Sequence, residues 1–194
     1  MLGALLAATL SWGADTATPS AKVQAEQDAM MKAWMEFATP SDGHKRLASL
    51  AGTWSTKSRF WVTPGAPPQE NAGAAQIEWV LGGRYLQQTF TGEYMGKPFH
   101  GIGYWAYDNI KKKYLSAWMD DLGTSIMQMT GSMDKAGKTL TTTGAIAEVI
   151  TKKPIKVKEV LTLVDAEHFT DEMWTTGSDG KASKSFEIAY TRKK

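Results

Sequence analysis

Few residues in this sequence have the type and spacing to carry out chemistry. There is no cysteine, which excludes disulfides, thiolate metal sites, a thiol nucleophile and a lipid-anchor cysteine. His44, His100 and His168 lie in separate segments and share no metal-ligand spacing. No G-x-S-x-G, H-E-x-x-H or EF-hand pattern occurs. Gly131 to Thr139 (GSMDKAGKT) resembles a phosphate loop superficially. It has one residue too many between its glycines, and it joins two segments of strand character, where a phosphate loop must open a helix. No catalytic residue, metal or cofactor is therefore expected.

What remains is an aromatic face with one acid. Turn signals at Asp108-Asn109 and Leu122-Gly123 set the register of the central strands: Tyr107 opposite Tyr114, Trp105 opposite Ser116, Gly103 opposite Trp118, and Trp118 opposite Met127. With period-two alternation, Phe99, Trp105, Tyr107 and Tyr114 project from one face together with Trp118, Asp120, Met127 and Met129. These eight are the expected ligand-binding residues. Gly101 and Gly103 leave room beside them for large rings. Asp120 could orient a ligand or act as a general base. Its place at a strand end beside Asp121 points instead to a solvated carboxylate. His100 falls on the opposite face, so the two form no dyad.

The elements that position this face are read from hydrophobic patterning. Residues 20–37 are rich in Ala, Gln, Glu, Lys and Met, with bulky apolar side chains at spacings of three and four, and form a helix. Thr39-Pro40-Ser41-Asp42-Gly43 ends it, and one more short helical stretch fits before Gly52. From there, β-branched and aromatic residues alternate with turn signals about every ten positions. The expected strands are 53–63, 73–81, 84–94, 98–107, 113–120, 124–133, 138–149, 155–164, 167–176 and 183–192. No connection is long enough for a parallel crossover. An antiparallel meander of this length best removes its edges by closing into a barrel. Before the helix, Leu2 to Leu10 is an uncharged apolar run followed by small residues, as in a secretory signal peptide but without its basic start. The expected organisation is a signal peptide at 1–14, a helical segment at 15–39 and a barrel domain at 40–194, with a periplasmic or secreted location.

Lys plus Arg number 22 and Asp plus Glu 20 in 194 residues. That balance gives no basic face for nucleic acid, and no stretch is long enough for a membrane anchor.

Gly52-Thr53-Trp54 after a short helix resembles the G-x-W opening of lipocalin-like (calycin) barrels. His44 and Leu47, Leu81-Gly82-Gly83-Arg84-Tyr85-Leu86, Gly101 to Asn109, Lys113-Tyr114 and Trp118-Met119-Asp120 extend the likeness. Over residues 40–194 the chain is similar to the bacterial domain of unknown function 1579 family. The resemblance implies an all-β, lipocalin-like antiparallel barrel of about ten strands, often exported, with no established activity. Trp105-Ala106 departs from the family's more usual Gly before Tyr-Asp and would narrow a cavity. Haem-binding barrels of the nitrobindin type use a histidine near the C-terminus; residues 186–194 contain none, so haem is not expected. The resulting expectation is an exported protein that binds a small apolar or amphipathic molecule. Its rivals are an enzyme of unknown class using Asp120 or a tyrosine in the barrel, and a filled barrel that acts through its surface.

Overall fold

The computed structural model describes residues 20–177 and 180–194; the expected signal segment at 1–14 lies outside them. Residues up to Ala38 and residues from Thr39 onward are separate units. In the first, helix α1 (Ala21–Ala38) has no buried residue, and Trp34 and Phe37 contact each other with ring centroids 5.7 Å apart. Among the described residues no helix is long and apolar enough to cross a membrane.

The second unit opens with α2 (Asp42–Lys45) and a 3-10 turn (Ala48–Leu50), then winds ten strands into a closed antiparallel barrel. They are β1 (Gly52–Phe60), β2 (Gln69–Val80), β3 (Tyr85–Tyr94), β4 (Lys97–Asp108) and β5 (Lys113–Asp120). β6 (Met127–Met133), β7 (Thr139–Ala147), β8 (Pro154–Leu163), β9 (His168–Thr176) and β10 (Ala182–Arg192) complete the ring. Each strand pairs with its sequence neighbours, and β10 closes on β1. Full closure leaves no unpaired edge.

The central register follows the alternation. Tyr107 pairs with Tyr114, Trp105 with Ser116, Gly103 with Trp118 and Trp118 with Met127. The β5–β6 connection differs from the two-residue turn expected at Leu122-Gly123: it runs over residues 121–126. Asp120 Oδ1 accepts the Leu122 N–H at 3.0 Å, and the Asp121 N–H donates to the His100 carbonyl at 3.2 Å. These bonds bend the chain before it can pair further. β2 begins four residues earlier than expected, because Gln69 to Ala72 ladder onto Phe60 to Lys57 despite their weak strand character.

One end of the barrel is plugged. Leu47 and Leu50 are fully buried, and Trp54 donates from Nε1 to the Leu50 carbonyl at 2.9 Å. Arg192 donates to the Ser49 and Ala51 carbonyls at 2.7 and 2.8 Å, with its guanidinium 4.1 Å from the Trp54 ring centroid. Tyr114 donates to the Gly43 carbonyl at 3.1 Å. Ser41 Oγ donates to Asn109 Oδ1 at 2.6 Å, tying α2 to the β4–β5 turn. His44 Nδ1 accepts the Ser41 N–H at 3.0 Å, and burial holds its pKa below the usual histidine value. His44 is thus a neutral structural residue of the plug.

Candidate functional site

The opposite end, rimmed by the β1–β2 and β5–β6 connections, opens onto a cavity of about 430 Å³. Its mouth is aromatic: Phe60, Trp61, Tyr94 and Phe186 stand beside Val62 and Leu122. Below them Phe90, Phe99 and Trp118 pack ring on ring, with centroids 5.9 to 6.5 Å apart. Trp118 lies over Gly101 and Gly103. A Cβ at Gly101 would overlap its ring, and one at Gly103 would meet it at 3.0 Å. These two glycines in β4 create the slot for the indole.

Six of the eight side chains expected at a binding face line this cavity: Phe99, Trp105, Trp118, Asp120, Met127 and Met129. Tyr107 and Tyr114 point inward but fall outside the lining. They contact each other at 4.9 Å, Tyr107 meets His44 edge-on at 5.8 Å, and Tyr114 bonds to Gly43. The reason is axial position. Alternate residues advance about 6.8 Å along a strand, so the same inward row passes from cavity to plug. Asp120 is also not the freely solvated carboxylate expected of a strand end: it is half-buried and accepts the Trp118 Nε1–H at 2.7 Å. It orients that indole at the mouth. His100 faces outward and bonds Asp121, with Nδ1 3.1 Å from Oδ2.

The cavity floor holds a feature that the register of β4 to β6 could not reveal. Glu159 on β8 and Asp171 on β9 are adjacent buried acids, and each shifts the other's proton affinity. They sit diagonally on adjacent strands, where Leu161 is the direct partner of Asp171. Glu159 Oε2 accepts Thr142 Oγ1–H at 2.7 Å and Ser116 Oγ–H at 3.0 Å. Burial raises the pKa of both acids; that of Asp171 is raised well above the ordinary aspartate value, with the adjacent Glu159 charge adding to the effect. Two hydroxyl donors favour the ionised form of Glu159, so Asp171 is the member that keeps its proton. Beside them Gln88 Nε2 donates to the Tyr190 hydroxyl at 3.2 Å, and burial pushes the Tyr190 pKa well up. Three polar atoms at this floor lack a partner: Asp171 Oδ1, Gln88 Oε1 and Trp105 Nε1. A buried polar atom without a partner marks a place for a ligand or water to supply one.

Both floor acids were within reach of period-two reading. Val157, Glu159 and Leu161 share one face of β8, and Phe169, Asp171 and Met173 one face of β9. An acid flanked on both sides by apolar residues of the same parity is the signal. Among the described residues no group of three or more His, Cys, Asp or Glu side chains could hold a metal ion.

The architecture recurs in solved structures. Rv2717c from M. tuberculosis matches at a TM-score of 0.61 with 14% identity, covering 80% of this chain and 100% of that one. A de novo designed fluorescence-activating β-barrel aligns at a TM-score of 0.41 with 13% identity, covering 74% of this chain and 93% of that one. A redesigned β-barrel aligns at 0.40 with 19% identity, covering 77% and 96%. At such identities only the fold of the first is informative. No curated protein matches the chain. The model of the family described as "Protein of unknown function (DUF1579)" matches residues 39–192, and this chain belongs to that family.

Proposed function

We propose that this chain is an exported barrel protein that binds a small apolar or amphipathic molecule in the cavity between the aromatic mouth and the Glu159–Asp171 floor. The observation that carries this reading is the cavity itself: about 430 Å³, open at one end, with apolar walls and a few convergent polar groups. Its size falls within the range of about 300–1,000 Å³ typical of small-molecule sites. An open interior argues against a filled barrel acting through its surface alone. Native mass spectrometry of protein purified from its source tests the reading: a copurifying small molecule supports it. A protein that leaves its source empty, and whose tryptophan fluorescence responds to no apolar probe, argues against it. Export predicts a mature N-terminus near Ala14 or Asp15, and N-terminal sequencing that finds Met1 on protein from the source would overturn it.

A second reading is favoured by one specific observation. Glu159 and Asp171 are adjacent buried acids that line the cavity, with pKa values raised by burial, an arrangement suited to general acid–base chemistry on a bound molecule. The site then turns its ligand over, and Asp171→Asn abolishes conversion of the copurified molecule while leaving a complex detectable. A ligand recovered unchanged after prolonged incubation supports binding alone.

A further inference from the structure

We infer that the cavity selects amphiphiles with a protonated amine head group, bound with the ammonium at the Glu159–Asp171 floor and the apolar body among the aromatic rings. The inference rests on the binding reading above and adds the chemistry of the ligand.

Charge is the first argument. The lining includes three carboxyl groups, Asp120, Glu159 and Asp171, and no Lys, Arg or His side chain. Lys184, which lies over the Trp61 ring at the mouth, is held by Glu172 at 2.8 Å and Glu187 at 2.6 Å. No resident cation among the lining residues balances these carboxyl groups. A buried, uncompensated anion is costly, and an entering cation removes that cost. A carboxylate or phosphate head group would instead add like charge in a site of low polarity.

Hydrogen bonding is the second, independent argument. Asp171 is 5% exposed and lines the cavity, and its Oδ1 is a buried oxygen without a donor. Gln88, 1% exposed, offers a second acceptor there, Oε1. An ammonium has three donors and no acceptor, which suits the two unpartnered oxygens beside Glu159, while the Trp105 Nε1–H is left to another acceptor. The walls supply the third argument. Trp105, Trp118, Phe90 and Phe99 present rings along the route to the floor, and aromatic faces attract organic cations.

The test compares decylamine, decanol and decanoate, each below its micelle-forming concentration. Binding is followed by tryptophan fluorescence and calorimetry on the whole chain near neutral pH. The expected result is decylamine binding at least about tenfold tighter than decanol, which is about 1.4 kcal/mol, and decanoate binding weakest. In Glu159→Gln the amine-to-alcohol preference should collapse towards one. Decanoate or decanol binding as tightly as decylamine overturns the inference and leaves the cavity reading standing. Unchanged amine preference in Glu159→Gln also overturns it. Binding of none of the three overturns the inference and counts against the cavity reading as well. The wild-type comparison decides the matter without the variant, so a Glu159→Gln chain that fails to fold does not remove the test.

Discussion

Asp171 keeps its proton because it is buried and Glu159 is beside it, and this has a consequence for stability. A carboxyl group whose pKa is higher in the folded than in the unfolded state binds more protons when folded. Folding then weakens as pH rises from the ordinary carboxylate pKa through the raised one. Glu159 and Glu172 act on Asp171 in the same direction as its burial. Asp171→Asn, which stays neutral, should therefore raise the urea midpoint relative to wild type at about pH 8 and change it little at about pH 4. Denaturation curves at the two pH values check this; a variant equally destabilised at both would place Asp171 in an ionised, paired role. Trp118 carries the complementary apolar prediction. Trp118→Ala should cost about 3 kcal/mol in urea unfolding, through lost ring packing and an enlarged cavity. Lys112→Ala, exposed in the β4–β5 turn, should change stability by less than about 0.5 kcal/mol.

At the scale of elements, β4 is the strand that shapes the pocket. Its two glycines admit the Trp118 ring, and a methyl group at Gly101 would occupy the same space. Gly101→Ala should destabilise by about 1–3 kcal/mol through overpacking and displace the indole from Asp120, giving a shifted tryptophan emission. Unchanged emission and stability would show that the ring has room elsewhere. The plug is the second functional element. Arg192 joins β10 to the segment before β1 through two carbonyls. Arg192→Ala should cost about 2 kcal/mol by removing charged hydrogen bonds, while probe affinity at the open end stays close to wild type. A large loss of affinity in a variant that remains folded would mean that the plug and the cavity are coupled.

At the scale of the whole molecule, the barrel stands or falls as a ring. β1 depends on β10 for one of its two partners, and the two strands lie more than a hundred residues apart in sequence. Ending the chain at residue 181 would remove β10 and expose edges on both β1 and β9. The expected outcome is loss of cooperative unfolding by far-UV circular dichroism and a tendency to aggregate. A sharp transition in the truncated chain would mean that nine strands suffice. The same closure creates the cavity, since its floor draws Gln88 from β3, Ser116 from β5, Glu159 from β8, Asp171 from β9 and Tyr190 from β10, with Thr142 of β7 bonded behind Glu159.

Local pattern was enough to determine the number of strands, their antiparallel order, the register of β4 to β6 and which way Phe99, Trp105, Trp118, Met127 and Met129 point. Each follows from period-two alternation and the turn residues between strands, which act over a few positions. Depth along the barrel was not written in that pattern. Tyr107 and Tyr114 share a face with Trp105 and Trp118, yet α2 covers them, and only the chain's return over that end decides it. Nor could alternation place Glu159 against Asp171 or leave Asp171 Oδ1 without a partner. Burial and proton affinity at that floor depend on six strands meeting across the barrel, and only closure of the ring brings them together.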